Sequence, residues 1–339
     1  MNWYLQSNSD SDVTISTKIK FERNLKDFKF NLRNSQEIEK LENKIEENLY
    51  ALGYGLKFLK IKDMDNITKL SLVEKRLISK EFAFNRNNIG SVLINDEENI
   101  CIVIGGENHL VIQVFSAGFD LDNTMNLAIE IDKKIDDIFG YASNKKYGFL
   151  TVSPMDVGTG LRASVITHLP ALSKTGNAAK VLNAIIDLGM NVQAVEKGKS
   201  VNNSLCDMYE ISNKQTIGIT EKDIVKNLKI ITKKIMEQER EARRLLAKDE
   251  IEVEDMIYRS YGILANCRKI TYEEMIKLLS NIKLGTDLGI LNELTDLKVQ
   301  KLYLYSKDAN LQKYFGEEYG TIERNIKRAE MIKSVLNEK

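Results

Sequence analysis

Between Gly90 and Phe119 the chain is a series of short β-rich runs, SVLIN, NICIVIGG and HLVIQVF, separated by DEEN and GGEN. The Asp, Asn and Gly residues in those gaps supply the turn chemistry that reverses a chain within a few residues. Runs this close together join as neighbouring antiparallel strands, because a parallel pair needs a crossover of about a dozen residues or more. The flanking segments have a different period. Ile38, Leu41, Ile45 and Leu49 recur at helical spacing over 35–52, and Leu121, Met125, Ala128, Ile131, Ile135 and Ile138 do so over 121–140. Two further helical patterns, 174–188 and 221–247, flank a strand predicted at Asp207–Ile211. Another strand is predicted near Tyr147–Val152, before the loop-like SPMDVGTG. The predicted fold is α+β, a mainly antiparallel sheet flanked by helices.

Residues 1–248 read as one catalytic-sized domain whose first 85 or so residues form a small helical lobe. From about Val253 the pattern is wholly helical, which predicts a second domain over 249–339. Only two prolines, Pro154 and Pro170, occur in the chain, so no Pro-rich linker separates the two, and close packing is expected. The segment KKIMEQEREARRLLAK places Glu239 four residues before Arg243, which reads as a solvated helix face.

Composition narrows the function. Lys+Arg and Asp+Glu both total 49, so no global field points to nucleic acid or an anionic membrane as partner. Cys101, Cys206 and Cys267 are odd in number, far apart and without metal-ligand spacing, which suits a reduced cytoplasmic protein. The start, MNWYLQSNSDSD, is not a basic segment followed by an apolar one, and no apolar stretch of about 18 residues occurs. His109 and His168 have no evident triad partner or metal set and read as structural.

The run Thr151–Leu169, TVSPMDVGTGLRASVITHL, carries the most specific chemistry. Gly158 and Gly160 permit close backbone approach to a bound group, and Arg162 follows where a guanidinium can hold a phosphate with two donors. The run resembles the phosphagen and protein-arginine kinase signature, in which Cys-Pro-Thr-Asn leads into Gly-Thr-Gly-Leu-Arg-Ala-Ser and then His-Leu-Pro. Here Ser153 stands for the cysteine and Asp156 for the asparagine. ISTKIKFERNL (Ile15–Leu25), LVEKRLIS (Leu72–Ser79), IGGENHLVIQ (Ile104–Gln113) and YEISNKQTIG (Tyr209–Gly218) resemble further family elements in the same order. YRSYGILANCRKI (Tyr258–Ile270) and IKLGTDLGIL (Ile282–Leu291) resemble the bacterial protein-arginine kinase branch.

That resemblance implies ATP with Mg²⁺ as cofactor and arginine side chains of proteins as phosphoryl acceptors. A guanidinium, with a pKa above ~12, needs a carboxylate to orient it and take its proton. Glu107 occupies the family position for that base, although a plain strand-turn carboxylate is the alternative; the neighbouring family residues have become Gly105, Gly106 and Asn108. The family's phosphate-clamping arginines carry over to Lys18, Lys20, Val111, Arg162 and Glu196 in turn, so a single arginine remains. Lys197 or Lys199 could partly substitute, Ser200 lies nearest the missing second substrate-gripping carboxylate, and Arg76 replaces a histidine near the adenine. In the last helix, Arg324, Asn325 and Arg328 match an Arg-Asp-x-x-Arg-Ala motif that binds phosphoarginine, with an ordinary amphipathic helix as the alternative. The resemblance also implies a zinc-binding activator, a heat-shock repressor and an AAA+ unfoldase as partners, and a homodimer. Two readings stand: a protein-arginine kinase in stress response and protein quality control, with weakened activity, or a pseudokinase acting as a phosphoarginine-binding adaptor.

Overall fold

Alternation along β1 (Thr14–Arg23) sets the architecture. Ile19 and Phe21 are fully buried on one side of the strand, while Lys18, Lys20 and Glu22 lie on the other. In the computed structural model, which describes residues 2–338 apart from 7, 9, 31, 33, 34 and 198–203, this strand is at the middle of an eight-stranded antiparallel sheet. The other members are β2 (Lys57–Lys60), β3 (Ser91–Ile94), β4 (Ile100–Ile104), β5 (Leu110–Ala117), β8 (Leu161–His168), β9 (Met190–Ala194) and β10 (Met208–Asn213), in the order β2-β3-β4-β5-β1-β8-β10-β9. A two-residue hairpin, β6 (Ser143–Asn144) with β7 (Gly148–Phe149), stands apart.

One face of the sheet is apolar. Ile19, Phe21, Ile112, Val114, Ala163, Val165 and Ile211 are buried there beneath α5 (Leu121–Phe139) and α8 (Glu221–Leu246). Each large side chain so buried contributes about 1.5–3 kcal/mol. Helix α8 starts where Thr220 accepts the Asp223 N–H, 3.1 Å, with Glu221 and Asp223 in a first turn that favours negative charge.

The N-terminal 85 residues differ from the helical lobe expected of them. They supply α1 (Ser35–Glu47), α2 (Leu49–Leu52), α3 (Asn66–Glu74) and α4 (Lys80–Ala83), but also the central strand and β2. The strand expected over 147–152 is only β7. The helical pattern at 174–188 is two pieces, α6 (Pro170–Lys174) and α7 (Ala178–Asp187), separated by Gly176 at φ +73°. Glu239 overturns the solvated-face reading, being 0 % exposed. Its carboxylate accepts the Ala171 and Leu172 N–H groups at the start of α6, and Arg243 Nε donates to it at 2.8 Å. An anion at a helix N-terminus satisfies otherwise orphaned donors.

The remaining helices are α9 (Glu250–Asn266), α10 (Tyr272–Asp287), α11 (Asp296–Tyr305), α12 (Asp308–Phe315) and α13 (Thr321–Leu336). They share a core around Ile257, Met275, Leu302, Leu311 and Met331, which continues into the sheet through Cys206 and Met208. Helix α12 docks on α3. The Glu74 carboxylate accepts the N–H groups of Ala309 and Asn310 at 2.8 and 2.9 Å, and Ser71 bonds Asn310 at 2.8 Å. Among the described residues no helix is long and apolar enough to cross a membrane.

Candidate active site

The second face of the sheet is polar. Lys20 is in register with Gln113 on β5 and Arg162 on β8, Lys18 with Phe115 and Ser164, Glu22 with Val111, and Ile166 with Glu210. Residues opposite one another across antiparallel strands share a face. Lys18, Lys20, Glu22, Val111, Arg162 and Glu210 are therefore gathered on one surface from four strands. Arg76 joins them from the segment after α3, at φ +65°.

Three of the four expected nucleotide-binding cations are already paired. Lys20 Nζ lies 2.6 Å from Glu22, Arg162 lies 3.0 Å from Asp156 and donates to the Asn213 carbonyl, and Arg76 pairs with Glu210. Burial raises the Glu210 carboxyl, but Arg76 and Lys18 outweigh it and hold the group below its ordinary value. Lys18 has no carboxylate at ion-pair distance among the described residues; its ammonium sits 5.2 Å from the Phe115 ring centroid. Burial drives its pKa down to about 8, against the attraction of Glu210. Val111 packs with the apolar cluster of Phe82, Val92 and Phe115, and brings no charge.

Gly158 and Gly160 do allow close approach, but to this chain's own atoms. A Cβ on Gly158 would stand 2.4 Å from the Thr216 carbonyl oxygen, and one on Gly160 would stand 2.5 Å from Arg23 and 2.6 Å from the Glu22 carbonyl oxygen. Both have positive φ, which favours glycine. At both positions the close approach seen is to this chain's own atoms, and the glycines shape the signature loop. Arg23, fully buried, holds that loop by donating to the Thr159 carbonyl while its guanidinium grips Asp132 with two bonds and stacks on Phe149.

Glu107 is exposed in the β4–β5 turn. Its neighbour Asn108 is buried, accepts from Asn24 and from the Val152 N–H, and donates to Glu22 at 2.9 Å. The turn carrying the base position is thus tied to the strand carrying Lys20 and to the segment leading into Ser153. His109 accepts the Leu25 N–H at Nδ1 and meets the Lys29 carbonyl through Nε2, and His168 bonds Ser280, each a fixed packing role.

Glu196 is paired within the chain. Burial pushes its carboxyl up, yet Lys307 at 2.9 Å and Tyr303 at 3.0 Å prevail and keep it below the usual range. Both partners come from the C-terminal helical region, Tyr303 from α11 and Lys307 from the start of α12. Lys199 and Ser200 lie outside the described residues. A cavity of about 110 Å³ extends from Lys18 and Arg76 to Trp3, Gln300 and Tyr303, where the sheet meets α11. A more open groove of about 470 Å³ runs beside Arg162, Met155 and Ser212.

At the other end of the chain, Arg328 corrects the expectation of two phosphate-facing arginines. It is 1 % exposed and donates to the Ser306 carbonyl, the Ile270 carbonyl, Asn325 and Asp308 at 2.7, 3.0, 2.7 and 2.5 Å. Arg324 remains near the surface, with the Tyr319 carbonyl and Asp308 as neighbours. Asn325 is turned to Arg328.

Sequence reasoning passed over Glu22, Glu210 and the Asp156 partner of Arg162. The period of two along Lys18-Ile19-Lys20-Phe21-Glu22 was the signal that places Glu22 with the two lysines.

Comparison with known proteins places the chain in a family. Residues 37–242 match the family model described as ATP:guanido phosphotransferase, C-terminal catalytic domain, and residues 250–339 match that of the protein-arginine kinase McsB C-terminal domain. A protein-arginine kinase of Halothermothrix orenii is 39% identical, covering 99% of this chain and 96% of its own. One of Bacillus subtilis is 36% identical, covering 99% and 93%. Among solved structures, a lombricine kinase aligns with TM-score 0.59 at 19% identity over 69% of this chain and 68% of its own, which speaks to the fold. With the sheet, the signature loop and the helical C-terminal region all accounted for, the chain belongs to the ATP:guanido phosphotransferase family, in its protein-arginine kinase branch.

Proposed function

We propose that this protein is an ATP-dependent protein-arginine kinase. The observation that carries the reading is the row of cations, Lys18, Lys20 and Arg162, on one sheet face, tied through Asn108 to the turn that bears Glu107. ATP, with Mg²⁺, supplies the transferable phosphoryl group when bound. The residues present suit a polyphosphate in kind, since three cations and Arg76 line one surface, and each paired carboxylate exchanges for a phosphate oxygen. Arg162 offers a planar fork, and the lysines offer point charges that grip two oxygens less well. Glu107 would orient the acceptor guanidinium and take its proton as the phosphoryl group passes from ATP to the guanidinium nitrogen and ADP leaves. Its exposure leaves it open to an arginine on a protein surface.

The test is to incubate the protein with Mg·ATP and an unfolded arginine-rich protein and to look for acid-labile phosphoarginine by mass spectrometry. Loss of the product in Arg162→Ala is the expected result; no product in the wild type sinks the reading. A second reading, a catalytically silent phosphoarginine-binding adaptor, draws support from the self-pairing of the clamp and from Val111. Its ligand half is weakened by the burial of Arg328.

A further inference from the structure

A guanidinium is a planar cation, and the face that must receive it carries Lys18, Lys20, Arg162 and Arg76. Holding it there takes a second carboxylate besides Glu107, placed beside the phosphate clamp. The sheet face has two, Glu210 and Glu22, but Glu210, on β10 two strands from β1, is paired with Arg76, and only Glu22 is tied to the Glu107 turn. Glu22 is 7 % exposed, shares the sheet face of Lys18 and Lys20, and stands opposite Val111. One of its oxygens is 2.6 Å from Lys20 Nζ and the other accepts from Asn108 at 2.9 Å. Asn108 in turn bonds the Val152 N–H, one residue from Ser153, and adjoins Glu107 in sequence. Glu22 is thus the point where the base turn, the signature segment and the clamp strand meet. Ser200, nearest the expected second carboxylate, carries no charge.

We infer that Glu22 is the second substrate-binding carboxylate of this protein, and that Lys20 keeps it covered until a nucleotide is bound. A carboxylate has four lone-pair directions, of which the two contacts above use two. When phosphate oxygens attract Lys20, the oxygen it leaves is free to accept N–H bonds from the arginine side chain. Nucleotide binding then precedes and promotes arginine binding. The inference rests on the kinase reading, and its test is chosen to run without turnover.

The measurement is calorimetric titration with a non-hydrolysable Mg·ATP analogue, followed by an arginine-containing peptide. In Glu22→Gln the analogue binds about fivefold more tightly, because Lys20 loses a competing partner. The peptide, added to the analogue complex, binds about tenfold or more weakly, because a charge-assisted acceptor is gone. Glu22→Asp recovers part of the peptide affinity. In Lys20→Met the peptide binds without the analogue. A merely structural Glu22 would weaken both ligands together. Equal loss for both, peptide affinity unchanged within twofold, or no analogue binding by either protein overturns the inference. Absence of phosphoarginine in turnover assays counts against the kinase reading alone, since these opposed affinity changes stand or fall independently.

Discussion

Arg162 and Arg328 both stand in matched motifs, and the molecule treats them in opposite ways. Arg162 has a carboxylate and a carbonyl as partners on a sheet face bordered by an open groove. Arg328 has four acceptors, one in its own helix and three from two other segments, and almost no contact with solvent. The first arrangement can exchange a partner for a ligand at small cost. The second has become a bolt between α13, the α11–α12 corner and Ile270, just ahead of α10. A motif preserves residue types, and the surroundings decide whether a guanidinium faces a ligand or the chain itself.

Breaking that contrast gives the largest expected effects. Arg328→Ala leaves the buried carbonyls of Ser306 and Ile270 without a partner, while half-exposed Asp308 keeps Arg324. Unfolding in urea should therefore show a loss of about 2–5 kcal/mol, ~1–3 kcal/mol for each unsatisfied buried group. Arg162→Ala should stay within about 1 kcal/mol of wild type, as a partly exposed pair does, while abolishing arginine phosphorylation. A stability ranking in the reverse order would show that the two roles are misassigned. Glu107→Gln sharpens the same contrast, since an exposed turn residue contributes little to folding. Phosphoarginine formation should fall about 10²- to 10⁴-fold with the melting temperature unchanged, and retained activity would place the base elsewhere.

A smaller effect is expected at Asp308. Its half-exposed carboxylate pairs with Arg324 and Arg328 and so competes with any anion that Arg324, the one nearer the surface, would bind. Asp308→Asn should therefore raise the affinity for phosphoarginine several-fold over that for arginine, measured by NMR titration. An equal response to both ligands would leave α13 an amphipathic helix with no ligand.

The strands β3 to β5 were legible because their runs are almost wholly apolar and their gaps are turn residues. Helices α5 and α8 were legible from their period. The central strand was not, because Lys18, Lys20, Glu22 and Arg23 gave it the look of a basic segment, although Ile19 and Phe21 kept the alternation of a strand. The site was legible as residue types and only partly as geometry. Lys18, Lys20 and Arg162 do share a face. Nothing local announces that Arg328 is buried, since its acceptors at Ile270, Ser306 and Asp308 lie far off in sequence or in another helix. Likewise, Glu239 beside Arg243 looked like a surface pair, and only the orphan N–H groups of α6, some 70 residues earlier, explain why it is inside.

The smallest expected effect separates Lys18 from the paired cations. Its pKa is lowered to about 8 by burial, from an ordinary value of 10.5. The folded protein therefore releases this proton more readily than the unfolded chain. Below pH 8 the buried charge costs stability, and that cost is relieved as pH rises from about 8 towards 10.5. Lys18→Met should accordingly raise the melting temperature at pH 7, with the advantage shrinking towards pH 10. Ligand affinity runs the other way. Phosphate oxygens need the charged ammonium, so Mg·ATP affinity should decline as pH climbs through about 8 and beyond. Lys18→Arg, whose charge does not titrate in this range, should flatten that decline. An unaltered pH profile in Lys18→Arg would mean that Lys18 does not touch the phosphates and that Lys20 and Arg162 hold them without it.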